Sequence, residues 1–256
     1  MIATRVMTVA DSFQASVRMR LWMPRCALSR SNLRELPGDV LDELVMGAGR
    51  VRIPAGSVTH WEGEHAPFLE LVISGVVRVF VTASDGRTMT IRYCRPGALI
   101  GAPSLFAAPY AMPAPTQALV DVELLRMSPT IARRAAERDV RVAISLLGEL
   151  SERVLTFVWE ISGSAFATVR QRVARHLLDL ASERLPEPAS DHHSGSELVV
   201  RVSQRELAEA VGTAREVVVR VLRELRQDGV VRTGRDQIVI ADPARLIQEY
   251  GWNPGS

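Results

Sequence analysis

The spacing of apolar residues changes along this chain of 256 residues, and the change limits which fold each segment can adopt. Between residues 50 and 127, apolar residues alternate with polar ones in short runs that are separated by turns. Alternation places every second side chain on the same face of a β-strand. Many short strands at regular spacing predict a sandwich or a double-sheet jelly roll.

Turns divide this region into its strands. Alternating apolar residues lie on both sides of Ser74-Gly75, at 69, 71 and 73 before it and at 77, 79 and 81 after it, which predicts a β-hairpin. A second turn at residues 84–86 leads to another alternating strand, and residues 119–127 supply a last one.

We expect Cys94 to be a small core residue. We expect three aromatic side chains to pack in the core or to line a pocket: Trp61, Tyr93 and Phe106.

From Thr130 to Ile161 the apolar spacing becomes helical, and the segment contains no proline. Apolar residues recur at alternating steps of three and four over three heptads: Val140, Ala143, Leu147, Leu150, Val154, Phe157 and Ile161. Such a seam predicts a helix that pairs with a second copy of the chain as a coiled coil. The alternative is a helix that packs only on its own sandwich. The next segment, residues 162–164 (Ser-Gly-Ser), interrupts the pattern and predicts a hinge.

Two short helices are predicted near the C-terminus, each opened by its own cap. Residues 203–206 (Ser-Gln-Arg-Glu) form a capping box, in which the serine caps the helix and the glutamate reaches back. Gly212 ends that helix. Residues 213–216 (Thr-Ala-Arg-Glu) form a second box that opens another helix. Two short capped helices that meet at one glycine are typical of a helix-turn-helix.

The second of these helices has two unlike sides when its residues are placed about 100° apart. One side is apolar: Val217, Val218, Val221, Leu222 and Leu225. The other side holds mainly charged residues: Arg215, Glu216, Val219, Arg220, Arg223 and Arg226. A solvated polar face with an Arg220–Glu224 pair is one interpretation. A recognition helix is the other, because arginine pairs with guanine and glutamate accepts from cytosine at the start of such a helix.

The residues around this helix predict contacts with the DNA backbone. Gly229 ends the helix, and two apolar runs at 230–232 and 238–240 flank a polar turn, which predicts a β-hairpin wing. We expect Arg232 and Arg235 in the wing to meet phosphates. Four residues nearer the two helices are expected to position the DNA backbone: Ser203, Gln204, Arg205 and Thr213.

Composition excludes several other classes of protein. The 31 basic residues, all arginine, nearly balance the 29 acidic ones, so the net charge of the chain does not predict DNA binding. The prediction depends instead on the arginines that share one side of the second helix. The only two cysteines, Cys26 and Cys94, form neither a disulfide framework nor a metal site. A metal site at His192-His193 is disfavoured because the pair lies in a polar loop. The sequence shows no signal-peptide core and no apolar run long enough for a membrane span, so we expect a cytoplasmic protein without a membrane partner.

The order of sandwich, long helix, hinge and winged helix-turn-helix is similar to that of the Crp/Fnr family of transcription regulators. The similarity covers residues 33–240 and is strongest at 202–228, where VGTAREVVVRVL resembles the recognition-helix motif of the family. It implies an α+β fold, with a cyclic-nucleotide-binding-like jelly roll. It also implies a homodimer that binds double-stranded DNA and contacts RNA polymerase. We expect an N-terminal extension at 1–30, a sandwich at 31–129, a dimerisation helix at 130–161 and a DNA-binding domain at 162–256.

The resemblance also assigns the bases that are read. In the cyclic-AMP branch of the family, an arginine, a glutamate and a second arginine read a TGTGA-type half-site. Their positions here are Arg215, Glu216 and Arg220. The oxygen-sensing branch has a different residue at the position of Arg215 and a polar one at that of Val219. The resemblance therefore implies GTGA-like half-sites in a pseudo-palindrome.

The effector pocket that the resemblance implies departs from the family pattern. Its residues here are Gly101, Ala102, Thr116, Phe157 and Val158. Ala102 replaces the glutamate that meets the ribose, residues 112–116 contain no arginine for the cyclic phosphate, and the adenine positions are apolar. We therefore expect that cyclic AMP is not the effector, and no cofactor is identified. An unusual effector, a pocket that needs no ligand, and haem or a metal remain open, as in a gas-sensing member of the family.

A protein of another class is the competing hypothesis. A cupin-like protein that binds a metal or a small molecule, possibly an enzyme, would need a metal triad, and the residues available are His60, Glu64, His65 and Glu70. Their spacing matches a cupin triad poorly, and residues 59–65 are interpreted as a solvated turn. The sequence shows neither a nucleophile–base pair nor a P-loop, so we expect a regulator rather than an enzyme.

Overall fold

A computed structural model describes residues 25–65, 69–107, 111–181, 198–234 and 236–250. The fold is α+β, as predicted, and the chain forms two compact units. One unit contains the described residues up to Val79 together with Tyr93–Leu155. The other contains Phe80–Arg92 and the described residues from Thr156 onward.

The described residues of the sandwich form eight strands: β1 (Gly49–Ile53), β2 (Val58–His60), β3 (Leu69–Ser74), β4 (Val77–Thr82), β5 (Thr88–Cys94), β6 (Leu99–Ile100), β7 (Thr116–Ala118) and β8 (Val122–Met127). One sheet has the order β1-β8-β3-β6 and the other has the order β2-β7-β4-β5. The predicted last strand at 119–127 is shorter than expected, because its first three residues form the turn between β7 and β8.

The predicted hairpin around Ser74-Gly75 is wrong. Strand β3 pairs with β8, as in Leu71 opposite Leu125, whereas β4 pairs with β7 in the other sheet. Gly75 turns the chain between the sheets with φ +81, and a Cβ there would collide with the carbonyl oxygen of Asp121. Alternating apolar residues show that a strand is buried, but they do not show which strand lies beside it.

Strand β3 is buried on both faces. Its residues Leu69 and Leu71 pack under a helical layer, and Val72 faces the second sheet beside the buried Cys94. The helical layer consists of α1 (Arg25–Leu28), α2 (Gly38–Leu44), α3 (Pro129–Arg138) and the start of α4 (Val140–Phe166). Cys94 is therefore the core residue that the sequence predicts. Ala27 and Leu28 are also buried in this layer, so the domain begins before residue 31.

Two of the three aromatic residues predicted to pack inside are exposed. Trp61 is 65% exposed and Phe106 is 52% exposed, while Tyr93 is half-buried. Trp61 lies in the turn after β2, and Phe106 follows the 3-10 helix Ala102–Leu105. Both positions lie beyond the end of an element, where the neighbouring layer no longer covers the side chain.

The single helix predicted over 130–161 consists of two helices. Asp139 interrupts it with an extended backbone (φ −125, ψ 111), and its carboxylate accepts a hydrogen bond of 2.9 Å from the backbone N–H of Arg141. An aspartate in this conformation caps the helix that follows it. Helix α3 therefore ends at Arg138 and α4 begins at Val140.

Helix α4 continues through the segment predicted to be a hinge. It ends at Phe166, and α5 (Val169–Ala181) begins after Thr168. The Thr168 hydroxyl accepts from the Gln171 backbone N–H at 3.2 Å, and the Gln171 side chain accepts from the Thr168 N–H at 2.9 Å. This is a capping box. A glycine inside a helix costs only about 1 kcal/mol, so the chain breaks at the cap instead.

Helix α4 is apolar on two sides. Val142 and Leu146 are buried in the core on the side toward the sandwich. Large apolar side chains on its other side are exposed: Val140, Ile144, Leu147, Val154, Leu155, Phe157 and Val158. Of the predicted seam, Ala143 and Leu150 are half-buried, and the side chain of Ile161 lies outside the described residues. The helix thus packs on its own sandwich and also presents apolar residues to solvent.

The second unit contains a helical domain with a small sheet. Its elements after α5 are β9 (Leu198–Val200), α6 (Gln204–Val211), α7 (Arg215–Gln227), β10 (Val231–Gly234), β11 (Gln237–Ile240) and α8 (Pro243–Tyr250). The sheet order is β10-β11-β9. One apolar core joins the three central helices, with Leu177, Leu207 and Leu222 among its fully buried residues.

His176 is a polar residue buried among the apolar side chains of this core. Burial, together with the charges of Arg175 and Arg172, lowers the pKa of His176 to about 3. The folded protein keeps the imidazole neutral, while the unfolded chain takes up a proton near pH 6.5. This difference stabilises the fold fully above pH 6.5, and the stabilisation is lost as the pH falls toward 3.

We predict that His176→Leu removes part of the acid sensitivity of the protein. Between pH 7.5 and pH 5, the free energy of unfolding of the unsubstituted protein should fall by about 2 kcal/mol more than that of the variant. Urea unfolding followed by circular dichroism measures both values. His65→Leu, at an exposed histidine, is the control and should keep the original pH dependence. Equal pH dependence with and without His176 would contradict the neutral buried imidazole.

Candidate DNA-binding interface

The first predicted capping box is present and fixes the start of α6. The Ser203 hydroxyl accepts from the Glu206 backbone N–H at 3.1 Å, and the Glu206 carboxylate accepts from the Ser203 N–H at 2.8 Å. Gly212 ends the helix in the left-handed region, with φ +72. These two features set a short helix of eight residues and a tight turn after it.

The second predicted capping box does not form. Helix α7 is preceded by Ala214, with φ −76 and ψ 149, and among the described residues this end of the helix has no side-chain cap. Thr213 belongs to the turn, where its backbone N–H donates to the Ala208 carbonyl at 3.0 Å. The helix starts one residue later than predicted because the closing bond of α6 holds Thr213 in the turn.

The apolar side of α7 is buried as the sequence predicts. Val218 and Leu225 are fully buried, Leu222 and Val221 nearly so, and Val217 is half-buried. These side chains join the core formed with α5, α6 and the small sheet. Burial of this side decides which residues of the helix face outward.

The outward side of α7 carries exposed charges. Arg215, Glu216, Arg220, Arg223 and Arg226 are all exposed, and no ion pair or side-chain hydrogen bond to another described residue engages them. Glu224 lies 3.5 Å from Arg170 of α5 instead of pairing with Arg220. The described residues therefore do not form the polar face of paired charges that is one interpretation of the sequence. Four guanidinium groups on one side of a helix, with no ionic partner among the described residues, favour an anionic partner.

The C-terminal end of α7 is tied to its neighbours. Arg170 lies 2.7 Å from the Asp228 carboxylate, and Arg245 of α8 donates to the Asp228 carbonyl at 2.9 Å. The hydrogen bond from Arg170 holds the pKa of Asp228 below its ordinary value. Helix α7 is thus held by its buried side and by this anchor at its end.

The predicted wing is present, with one strand that sequence analysis missed. Strands β10 and β11 pair as in Val231 opposite Ile240, and β9 adds a third strand through Val199 opposite Val239. Residues 198–200 are a short apolar run after a polar segment, a signal that would have indicated β9. Arg232 is exposed on β10, while Arg235 lies outside the described residues.

The other residues expected to position the DNA backbone differ in their surroundings. Arg205 is exposed and lies 3.0 Å from Glu209 in an i,i+4 pair. Gln204 is half-buried at the first position of α6, and the Ser203 hydroxyl accepts the capping hydrogen bond of that helix. Thr213 is half-buried in the turn. All four lie on or beside the two helices of the motif.

The predicted effector residues lie in two environments. Gly101 has φ +87 and precedes the 3-10 helix, where Ala102 is fully buried. Thr116 is also buried, and its hydroxyl shares a hydrogen bond with that of Thr59. Phe157 and Val158 are exposed on α4. Met112, within the stretch that lacks an arginine, is a buried member of the apolar core between the sheets.

A buried ionic cluster in the sandwich was not predicted. His60 was expected in a solvated turn, but it is buried on β2 and its Nε2 lies 2.8 Å from the Glu70 carboxylate. Arg126 bonds the other oxygen of Glu70, also at 2.8 Å. Burial alone would lower the pKa of His60, but Glu70 outweighs it and raises that pKa. Burial alone would raise the pKa of Glu70, and His60 with Arg126 lowers it.

Two kinds of site are absent from the described residues. No group of three or more histidine, cysteine, aspartate or glutamate side chains there is arranged to hold a metal ion. No helix within these residues is long and apolar enough to cross a membrane.

A β-sandwich, a long helix and a winged helix-turn-helix with exposed arginines on its second helix define a class of DNA-binding transcription regulators. Comparison with protein families agrees, since residues 171–249 match the Crp-like helix-turn-helix domain and residues 50–139 match the cyclic nucleotide-binding domain. The chain belongs to the Crp/Fnr family of transcription regulators.

Known relatives share most of the chain. It is 29% identical over 203 residues to the cAMP-activated global transcriptional regulator Vfr of Pseudomonas aeruginosa, covering 78% of this chain and 92% of Vfr. It is 30% identical over 210 residues to the CRP-like protein Clp of Xanthomonas euvesicatoria, covering 80% of this chain and 89% of Clp. The solved structure of the c-di-GMP responsive regulator CLP of Xanthomonas campestris matches with a TM-score of 0.67 and 27% identity, covering 80% of this chain and 100% of that one.

We predict that the two residues expected to cap helices, Ser203 and Thr213, differ in their effect on stability. Ser203→Ala should lower the free energy of unfolding by about 1 kcal/mol, because it leaves the Glu206 N–H without its partner. Thr213→Ala is the matched control and should change the free energy by less than about 0.5 kcal/mol. Urea unfolding measures both variants. A loss for Thr213→Ala as large as that for Ser203→Ala would show that Thr213 caps α7 after all.

Proposed function

We propose that this protein is a homodimeric transcription regulator that reads a pseudo-palindrome with GTGA-like half-sites. The observation that carries the proposal is the outward side of α7, where exposed arginines and Glu216 have no ionic partner among the described residues. The two recognition helices of a dimer would enter successive major grooves about one helical turn apart. The protein acts as a regulator and not as an enzyme, in the cytoplasm and together with RNA polymerase.

The residues at the start of α7 read the bases. Arg215 and Glu216 lie in its first turn, and Arg220 follows one turn later. An arginine donates two hydrogen bonds to guanine O6 and N7, and a glutamate accepts from the cytosine amino group. Arg223 and the wing residues Arg232 and Arg235 meet phosphates, and Ser203, Gln204, Arg205 and Thr213 position the backbone near the turn.

The second copy of the chain pairs along α4. That helix buries one side on its own sandwich and leaves apolar residues exposed on another, including Ile144, Leu147 and Val154. A large exposed apolar surface on a soluble protein marks an interface. Spacing by three and four residues suits the seam of two parallel helices.

The effector is not cyclic AMP. A cyclic phosphate buried in the sandwich needs a cation, and a ribose needs a hydrogen-bonding partner. Ala102 and Met112 are buried and apolar where the family places these groups, and Phe157 and Val158 offer no polar atom to adenine. The relative CLP is c-di-GMP responsive, so cyclic di-GMP is the second ligand to compare.

We predict that selection from random duplex DNA enriches a palindrome with GTGA-like half-sites, equally with and without cyclic AMP. In a mobility-shift assay at fixed salt, Arg215→Ala and Glu216→Ala should each weaken binding by about 1–3 kcal/mol and relax the preference at one base pair. Arg133→Ala, at an exposed arginine of α3, is the control and should bind like the unsubstituted protein.

Two outcomes would contradict this assignment. An unchanged preference for GTGA in the Arg215→Ala and Glu216→Ala proteins would refute the base-reading roles. Enrichment that depends on cyclic AMP would refute the ligand argument, while dependence on cyclic di-GMP alone would leave it standing.

We predict that Leu147→Glu separates the two subunits. The substitution places a charge on the exposed apolar side of α4, where a dimer would bury it unpaired at a cost of several kcal/mol. Sedimentation velocity should show a dimer for the unsubstituted protein and a monomer for the variant. Met46→Glu, at an apolar residue exposed elsewhere, should remain a dimer. A dimeric Leu147→Glu protein would place the interface away from this side of α4.

A further inference from the structure

Helix α7 exposes one large apolar side chain on its charged outward side. Val219 is 41% exposed, although the neighbouring valines Val218 and Val221 are buried in the core. Isolated exposed valines are common on protein surfaces. The position of this one is informative, because it lies among the side chains that face outward for binding.

The neighbours of Val219 on the helix surface are charged. Arg215 lies four residues before it, Glu216 three residues before it, and Arg223 four residues after it, and residues at these spacings are adjacent on a helix. All three are exposed. Val219 therefore lies between the residues proposed to read bases and those proposed to meet phosphates.

We propose that Val219 is a specificity-determining residue that contacts the 5-methyl group of a thymine in the major groove. The inference rests on the proposed function. Valine has no hydrogen-bonding atom in its side chain, so it reads a base only through apolar contact. In the major groove, thymine alone among the four bases presents a methyl group.

The stiffness of valine makes such a contact selective. A β-branched side chain in a helix occupies essentially one rotamer, so its two methyl groups keep a fixed direction. Val219 does not belong to the apolar core, so packing of the core does not require the conformation of its side chain. The surrounding arginines require an anionic partner, and this requirement favours duplex DNA over an apolar protein surface.

The test removes the methyl group from the DNA and the valine from the protein. Deoxyuridine differs from thymidine only in lacking the 5-methyl group. Each thymine of the selected palindrome is replaced by uracil in turn, in both half-sites, and the dissociation constant of the full-length protein is measured at fixed salt. One thymine position should lose about fourfold per half-site, or about 15-fold for both, the value of one buried methyl group.

The same scan is then made with Val219→Ala. The sensitivity to uracil should disappear at that position and stay unchanged at every other thymine, which is the result of a double-mutant cycle. Val120→Ala is the matched control, because Val120 is a valine of similar exposure in the turn between β7 and β8. It should keep the original pattern, and both variants should unfold at the urea concentration of the unsubstituted protein.

The possible results separate this inference from the function on which it rests. Tight binding with no uracil-sensitive thymine, or an identical scan for Val219→Ala, would overturn the role of Val219 and leave the regulator assignment intact. Failure of the unsubstituted protein to enrich any DNA sequence would overturn the proposed function, and the role of Val219 with it.

Discussion

The burial of one side of α7 is the constraint on which the proposed DNA-binding surface depends. Val218, Val221, Leu222 and Leu225 enter one core with α5 and α6, and each side chain of this size contributes about 1.5–3 kcal/mol when buried. Rotation of the helix by one residue would turn it by 100° and expose several of them. The direction of the outward arginines is therefore set by residues that are buried in the core. The anchor through Asp228 holds the end of the same helix.

A similar constraint acts on α4, which buries apolar residues on one side and exposes others. A helix turns every 3.6 residues, so side chains at 142, 146 and 149 face the sandwich while those at 140, 147 and 154 point away. A helix with one partner needs only one apolar side. The second apolar side is costly in water unless another surface covers it, and a second copy of the chain is the simplest cover.

Sequence reasoning succeeded where a local pattern has one structural meaning. The capping box at Ser203, the left-handed Gly212 and the buried side of α7 all follow from neighbours within one or two turns of chain. It failed where several structures satisfy one pattern. A threonine three residues before Glu216 resembles a cap, but a backbone bond to Ala208 keeps it in the turn. Alternating residues on both sides of Gly75 resemble a hairpin, but the strands belong to different sheets.

The amino-acid sequence by itself determined the order of the domains, the helix-turn-helix and the set of side chains on the outward side of α7, because periodicity and capping are local properties. Tertiary structure alone decided which strands pair, where the long helix breaks and which charged side chains meet. It joined His60 and Arg126 to the buried Glu70 carboxylate, although the three residues lie on three strands. It also directed Glu224 toward Arg170 and away from Arg220. Ionic partners are chosen by distance in space, and separation along the chain does not encode that distance.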